Sequence, residues 1–473
     1  MLPGNIAVVD MFKKLMLYSC PLGIGILLFL SGTAQAEAIA AKHTALGPQT
    51  LQIGSSANIV ASAEFLQRFS SAIACINRSL RALPATEGAT PIAVNIASSD
   101  TFQLPSKMVE KALASPEGYW ISISQQGVKV TATGAAGALH GLTTLEALWT
   151  ATEGKLQSGE IADWPSHRIR ALHLVIRGSR PEAIKELIEQ GRKWKFNTLI
   201  ISTHDNVQFA SIPSIAFPYA WTKAKLMDVV QYAKENGFDV IPEVKLLTHQ
   251  HVFLQDKFPN LMFNAQTYDP RNPEVYKTIF PLLDEIIDLF KPRAVHIGHD
   301  EVVRRAYNAA TKRKFMFFNP GEKPLPAELY LQDIILVHGY LKGRGVQTWM
   351  WGDMLISPSE FPQMEASNLH GGWNGYSSLR RKLPKDIVIC DWHYFDDRAD
   401  FPSVAAFQHD GFRVLGATWK KESTIRNFGR YAAQQSAEGM IATTWFHVQK
   451  KEWEIVHNII ETSGRIFWNA GLD

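Results

Sequence analysis

From about residue 161 onward, short apolar runs rich in β-branched residues alternate with longer amphipathic runs. The short runs predict strands at Arg170–Ile176, Asn197–Ser202, Asp239–Val244, Ala294–Gly298, Gln347–Trp351, Ile387–Asp391, Val414–Thr418 and Ile441–Trp445. The longer runs predict helices, among them Pro181–Trp194, Lys223–Asn236, Glu274–Phe290 and Ala327–Lys342. Eight such alternations argue for a closed parallel barrel rather than an open sheet. Asn368 to Gly375 reads as a candidate ninth strand, so strand numbering after the fifth is open. No short repeat or low-complexity tract interrupts the pattern.

Between Glu37 and about Gly159 the pattern changes to α+β. Ser62 to Leu83 reads as one helix and Pro91 to Ala97 as a strand. Tyr119 to Ser124 alternates apolar and polar, breaks at Gln126-Gly127, and resumes as Val128 to Thr131, which is a hairpin signal. Gly134 to Trp149 then reads as a helix, with Leu139, Leu142, Leu145 and Leu148 on one face. A boundary falls near Ile161-Ala162-Asp163-Trp164-Pro165. The fold class is therefore α/β: a (β/α)8 TIM barrel over 161–473, preceded by a small α+β domain over 37–160.

The first 36 residues read as a secretory signal peptide. Lys13 and Lys14 form a basic region, Pro21 to Leu30 is mostly apolar, and Ser31 to Ala36 supplies small residues for cleavage after Ala36. Met11 is an alternative start. Cys20 precedes the apolar stretch, which argues against a lipoprotein cysteine. No later run of roughly 20 apolar residues follows, so no stable membrane insertion is expected, and the location is periplasmic or secreted. Cys75 and Cys390 remain, far apart in sequence; one disulfide could form, but not a framework.

Composition adds little to this picture. The chain has 473 residues, enough for a barrel of about 250 to 300 residues plus a smaller domain. It is 46% hydrophobic and 20% charged, with a net charge of +3 and no basic block, so nothing points to nucleic acid. Thirteen Trp are many for this length, and most lie in the second half. They could stack on sugar rings or simply pack the core.

Candidate chemistry concentrates in His296-Ile297-Gly298-His299-Asp300-Glu301. Asp300 and Glu301 follow a predicted buried strand, which is where a (β/α)8 barrel presents functional groups. Their mutual repulsion should raise the pKa of one of them. On an extended chain they would point to opposite sides. A helix cap after the strand is the bland alternative.

Five segments together resemble glycoside hydrolase family 20, the β-N-acetylhexosaminidases. Gly134 to Leu145 is similar to the helix ending that family's small N-terminal domain. Lys195-Phe196-Asn197-Thr198-Leu199 resembles its second barrel strand. Ile241-Pro242-Glu243, followed by His249, resembles its third strand and loop. Tyr268-Asp269-Pro270-Arg271-Asn272-Pro273 precedes the fourth-strand motif, and His296 to Glu301 resembles its catalytic His-Ile-Gly-Gly-Asp-Glu run. Departures mark a divergent member. His299 stands for the second Gly; Lys245, Leu247 and Thr248 stand for the usual Asp and Pro-Gly; and Phe446-His447 replaces an acidic residue. Arg177 and Arg180 lie only near the position of the family's Asp-x-Ser-Arg segment.

The resemblance implies an exo-acting hydrolase that removes terminal β-linked N-acetylhexosamine with net retention. Adjacent carboxylates do not suit an ordinary acid–nucleophile pair, whose carboxyls sit roughly 5 Å apart across the bond. Glu301 would be the general acid/base, and Asp300 would orient the 2-acetamido group, whose oxygen attacks the anomeric carbon. No protein nucleophile, cofactor or metal is then needed. Trp349, Trp351, Trp392, Trp419 and Trp445 fall at or just after predicted strand ends and would wall the sugar and its N-acetyl methyl. Tyr394 is the candidate donor to the acetamide oxygen. Asp353 would bond a hydroxyl or Tyr394. Asp205 would bind sugar or orient His249, and His249 would pair with Asp300 or Glu301. Glu243 and His296 read as buried structural groups. The partner is an amino-sugar glycan. GlcNAc versus GalNAc, the linkage, and the oligomeric state stay open.

Three rivals remain. His204-Asp205, His249-x-His251 and His299-Asp300 offer metal-ligand types near strand ends, although their spacing matches no metal motif. A non-catalytic carbohydrate-binding barrel would explain the lost hydroxyl-binding residues. A glycosidase for sugars without a 2-acetamido group would need another carboxylate, with Glu243 the first to consider.

Overall fold

The computed structural model describes residues 41–97, 105–303, 318–319, 321–372, 375–447 and 452–471. The leader expected over 1–36, with Cys20, lies outside them. The N-terminal domain is built from β1 (His43–Gln52), β2 (Asn58–Val60), α1 (Ala63–Arg68), α2 (Ser70–Arg81), β3 (Pro91–Ile96), α3 (Lys107–Leu113), β4 (Tyr119–Ser124), β5 (Gly127–Ala132), α4 (Ala135–Ala151) and β6 (Lys155–Asp163). Its six strands order as β1-β6-β4-β5-β3-β2. The single helix expected over Ser62–Leu83 is two. Phe69 leaves helical geometry at φ −113° and ψ 33°, and its buried ring meets Phe65 edge-on at 5.1 Å.

The barrel strands are β7 (Ile169–Val175), β8 (Thr198–Ser202), β9 (Asp239–Leu246), β10 (Ala294–Gly298), β11 (Gln347–Trp351), β12 (Val388–Trp392), β13 (Arg413–Thr418) and β14 (Gly439–His447). They close in chain order, β14 pairing with β7, and every pairing is parallel. Each expected strand is present within one or two residues at its ends. Helices α5 (Pro181–Lys193), α6 (Lys223–Glu235), α7 (Pro273–Phe290), α8 (Ala327–Lys342), α9 (Pro402–His409), α10 (Glu422–Gln434) and α11 (Trp453–Trp468) follow seven of the eight strands. The connection from β11 to β12 carries only short 3-10 turns among the described residues.

The candidate ninth strand at Asn368–Gly375 does not form in its described part. Ala366–Asn368 is a 3-10 turn. The N–H groups of His370 and Gly371 donate to Asp353 and Ile356 within the same loop, so this backbone is spent before any sheet could use it.

Inside the barrel, alternate strand residues fill the lumen: Ile200, Ile241, Ala294, Trp349, Cys390 and Leu415 belong to one buried cluster. Trp349, expected at the mouth, lies low instead. Its indole N–H donates to Gln347 at the start of the same strand (3.0 Å), and Arg293 covers its ring from the same end. Trp349 is therefore packing, remote from the strands' C-terminal ends. Cys75 and Cys390 are buried free thiols, one in the N-terminal domain and one inside the barrel, so they do not pair.

The two domains share a buried polar seam at the N-terminal ends of β7 and β8. Arg170 donates to the carbonyls of His167 (2.8 Å) and Lys195 (2.8 Å) and pairs with Glu117. Trp468, the last residue of α11, packs with the N-terminal domain's core. Burial pushes His140, His167 and His296 down to about 4, from an ordinary 6.5. The folded protein therefore resists protonation that the unfolded chain accepts between pH 6.5 and 4. Stability should fall across that interval as pH falls, by on the order of 3 kcal/mol per ring at pH 4. Thermal unfolding between pH 7 and pH 4 tests this; a level Tm would mean that these rings charge in place.

Candidate active site

At the C-terminal end of β10 the backbone turns left-handed. The φ angles are 76° at Gly298, 67° at His299 and 53° at Glu301. Positive φ is rare for residues with side chains and clusters at functional sites. The turn overrides the expectation of opposed carboxylates. Asp300 Oδ2 lies 3.2 Å and Glu301 Oε2 3.7 Å from the same atom, His249 Nε2. His249 sits after β9, itself at φ 57°. The pairing of His249 with both acids is thus present.

Neighbouring cations set the state of Asp300. Burial raises its carboxyl, but His249 and Lys245 outweigh that, and the group is held below the usual carboxylate range. Its Oδ1 is buried and has no hydrogen-bond partner among the described residues. Glu301 is anchored through its backbone N–H, which donates to Asp353 Oδ2 at 2.9 Å. Asp353 Oδ2 also lies 2.7 Å from His370 Nδ1, and Asp353 is only 1% exposed. Asp353 therefore stands behind Glu301 as a support. The Tyr394 hydroxyl takes a different partner, accepting the Trp445 indole N–H at 2.9 Å.

The remaining aromatic residues form one wall. Trp392 stacks on Tyr394 at 4.8 Å, Trp419 meets Tyr394 edge-on at 5.9 Å, and Trp351 lies 5.8 Å from Trp445. Burial pushes the Tyr394 phenol up, so it keeps its proton as a donor. Four of the five expected Trp residues thus gather with Tyr394, and Trp349 does not. Asp205 lies in a turn after β8 and pairs with Arg177 at 3.1 Å. The side chains of His204, Phe446 and His447 lie outside the described set.

Below the wall, Glu243 is fully buried. Ser202 donates to it and His173 Nε2 lies 3.1 Å away. Burial raises this carboxyl, but His173, Lys245 and His296 lower it more, so it stays charged in a closed cluster. His296 Nδ1 accepts the Gly298 N–H at 3.2 Å. The structural readings of Glu243 and His296 agree with this, and a nucleophile at Glu243 would have no exposed face.

Sequence reasoning missed the part played by Arg177, Lys245, His370 and Asp333. Arg177 follows β7 directly, and Lys245 shares the inward face of β9 with Ile241 and Glu243. The alternation rule applied to strand ends would have found both. Lys245 Nζ lies 4.7 Å over the Trp445 ring. His249, Asp300 and Glu301 offer three ligand atoms within 4.8 Å of one another. The Lys245 cation acting on Asp300 opposes a second cation there.

Known proteins resemble this chain in sequence and in fold. Residues 207–460 match the model for glycosyl hydrolase family 20, catalytic domain, and residues 41–164 match that for its domain 2. A β-hexosaminidase of Akkermansia muciniphila is 27% identical over 241 residues, covering 43% of this chain and 49% of that protein. A lacto-N-biosidase of Bifidobacterium bifidum is 22% identical over 331 residues, covering 67% of this chain but 27% of that protein. The chain thus spans half or less of the length of these two relatives. The structure of a β-N-acetylhexosaminidase from Streptomyces coelicolor A3(2) superposes with a TM-score of 0.65 at 17% identity, covering 92% of each chain. At that identity the likeness speaks for the fold.

Proposed function

The chain belongs to glycosyl hydrolase family 20, and from that premise we propose that it removes terminal β-linked N-acetylhexosamine by substrate-assisted, retaining hydrolysis. One observation carries this reading. Among the described residues the buried Asp300 Oδ1 has no donor, and its charge acts on the Tyr394 phenol, whose hydroxyl accepts from Trp445 and is also hydrogen-bonded to Thr443. An acetamide N–H would supply the donor that Asp300 Oδ1 needs, and its carbonyl would take the Tyr394 proton in place of Thr443. Trp351, Trp392, Trp419 and Trp445 would enclose the methyl and the sugar face.

The chemistry then runs in two steps. The acetamide oxygen bonds to the anomeric carbon while the bond to the leaving oxygen breaks, and Glu301 gives that oxygen its proton. The ionised Asp300 stabilises the cationic oxazolinium. Water then attacks the same carbon, Glu301 takes its proton, and the ring oxygen returns to the acetamide. His249, touching both acids, would hold their relative orientation. The leader-like N-terminus supports export, to the periplasm or beyond. Among the described residues, no helix is long and apolar enough to cross a membrane.

The test uses paired fluorogenic substrates. The 4-methylumbelliferyl β-N-acetylglucosaminide or galactosaminide should be hydrolysed, at least ~10³-fold faster than the β-glucoside, which lacks the 2-acetamido group. EDTA should change neither rate. Turnover of the glucoside at a comparable rate would remove substrate assistance. Binding of N-acetylglucosamine without turnover would make the barrel a lectin-like module.

A further inference from the structure

His299 occupies a demanding position: a side chain at φ 67°, wholly buried, directly before Asp300. Glycine would meet the backbone requirement without steric cost. The imidazole must therefore be there for its contacts. Its Nδ1 lies 3.0 Å from the Ile297 carbonyl and its Nε2 lies 2.8 Å from Asp333 Oδ2. The ring is thus held at both nitrogens, by a backbone carbonyl on one side and a carboxylate on the other. Asp333 comes from α8. It also accepts from Tyr268 (3.0 Å) and Tyr276 (2.8 Å), the latter on α7. Tyr330, one turn back on α8, donates to the His299 carbonyl at 3.1 Å. The Tyr268 N–H in turn donates to the carbonyl of Leu247 at 3.1 Å, in the loop that carries His249.

We infer that His299 is a positioning residue: clamped between Ile297 and Asp333, it locks the turn that brings Asp300 and Glu301 together on His249. The hub ties both functional loops to α7 and α8, the rigid outer layer. His299 has no exposed surface, so it acts on substrate only through the two acids. The structural part stands on geometry alone; its catalytic consequence rests on the functional reading above.

The test compares His299→Gly, Asp333→Asn and the double variant with wild type. Glycine keeps the φ and removes only the ring. The double variant leaves no lone buried charge, which guards against a variant that fails to fold. Two readouts are taken below the melting transition: kcat and KM on the fluorogenic N-acetylhexosaminide, and amide hydrogen exchange across residues 294–303. Exchange in that segment should rise about tenfold or more while the barrel strands stay protected. At the same time kcat should fall about ten- to hundredfold with KM nearly unchanged, the double variant being no worse than His299→Gly. Unchanged exchange, or a rise spread evenly over the molecule, overturns the inference. Additive losses in kcat overturn it too, because the two residues would then act separately. A local rise in exchange in a protein that hydrolyses nothing supports the brace and removes the functional reading instead.

Discussion

On a disaccharide substrate such as N,N′-diacetylchitobiose, Glu301→Gln is expected to keep about 10⁻³ or less of the wild-type kcat. A sugar alkoxide is a poor leaving group, so departure needs the proton that Glu301 supplies. The second step needs the same side chain as a base. The 4-methylumbelliferyl substrate should suffer less, by roughly tenfold or more, because its phenolate leaves with little protonation. Glutamine matches the shape of glutamate, and the bond from residue 301 N–H to Asp353 belongs to the backbone. The variant should therefore fold, and Tm measured beside kcat checks it. Equal losses on both substrates would indicate that Glu301 holds the site together rather than moving a proton. Full activity would place the acid elsewhere.

This prediction names a residue that was visible in the sequence, and so was most of the fold. Barrel strands announce themselves because their period and their apolar β-branched residues agree. Gln347–Trp351 and Ala294–Gly298 match to the residue. The misses have physical causes. Trp349 counts among the Trp residues at or just after predicted strand ends, but it sits two residues before Trp351, on the same face. Two residues along a strand is about 7 Å of rise, enough to move a ring from the mouth into the packed lumen. The Asn368–Gly375 segment has strand-like composition, yet its hydrogen bonds close on a loop, which composition does not encode. An extended chain would oppose Asp300 and Glu301, and the left-handed residues Gly298, His299 and Glu301 turn them the other way. Local sequence could not give that turn, because its anchor, Asp333, lies 34 positions from His299. The charge at Asp300 depends likewise on Lys245 and His249, which only the fold brings near. Sequence pattern fixes elements; pairwise chemistry across loops waits for the structure.

The largest expected effect on stability lies at the other end of the barrel. Trp468→Ala should cost on the order of 4 kcal/mol, the range for removing a fully packed aromatic ring. The ring belongs to the last barrel helix but packs with the N-terminal domain's core. Its indole N–H donates to Asp163 at 2.6 Å, and Asp163 is fully buried. Lys195 and Arg170 sit over the ring at 4.4 Å and 4.9 Å. Removing the ring opens a cavity and withdraws a donor from a buried carboxylate, and it bares two buried cations as well. Trp468→Phe should recover much of the loss, since it restores the ring face without the N–H. Calorimetry should show a Tm drop of about 4 °C for Ala, because a cooperative unit of this length has a large unfolding entropy. The drop for Phe should be smaller. The seam lies at the N-terminal ends of the strands and the candidate site at their C-terminal ends. Below the transition, kcat of both variants should therefore equal wild type. A loss of kcat in a still-folded Trp468→Phe would show that the domain seam reaches the chemistry through the barrel. An unchanged Tm for Ala would show that the two domains do not depend on each other through this contact.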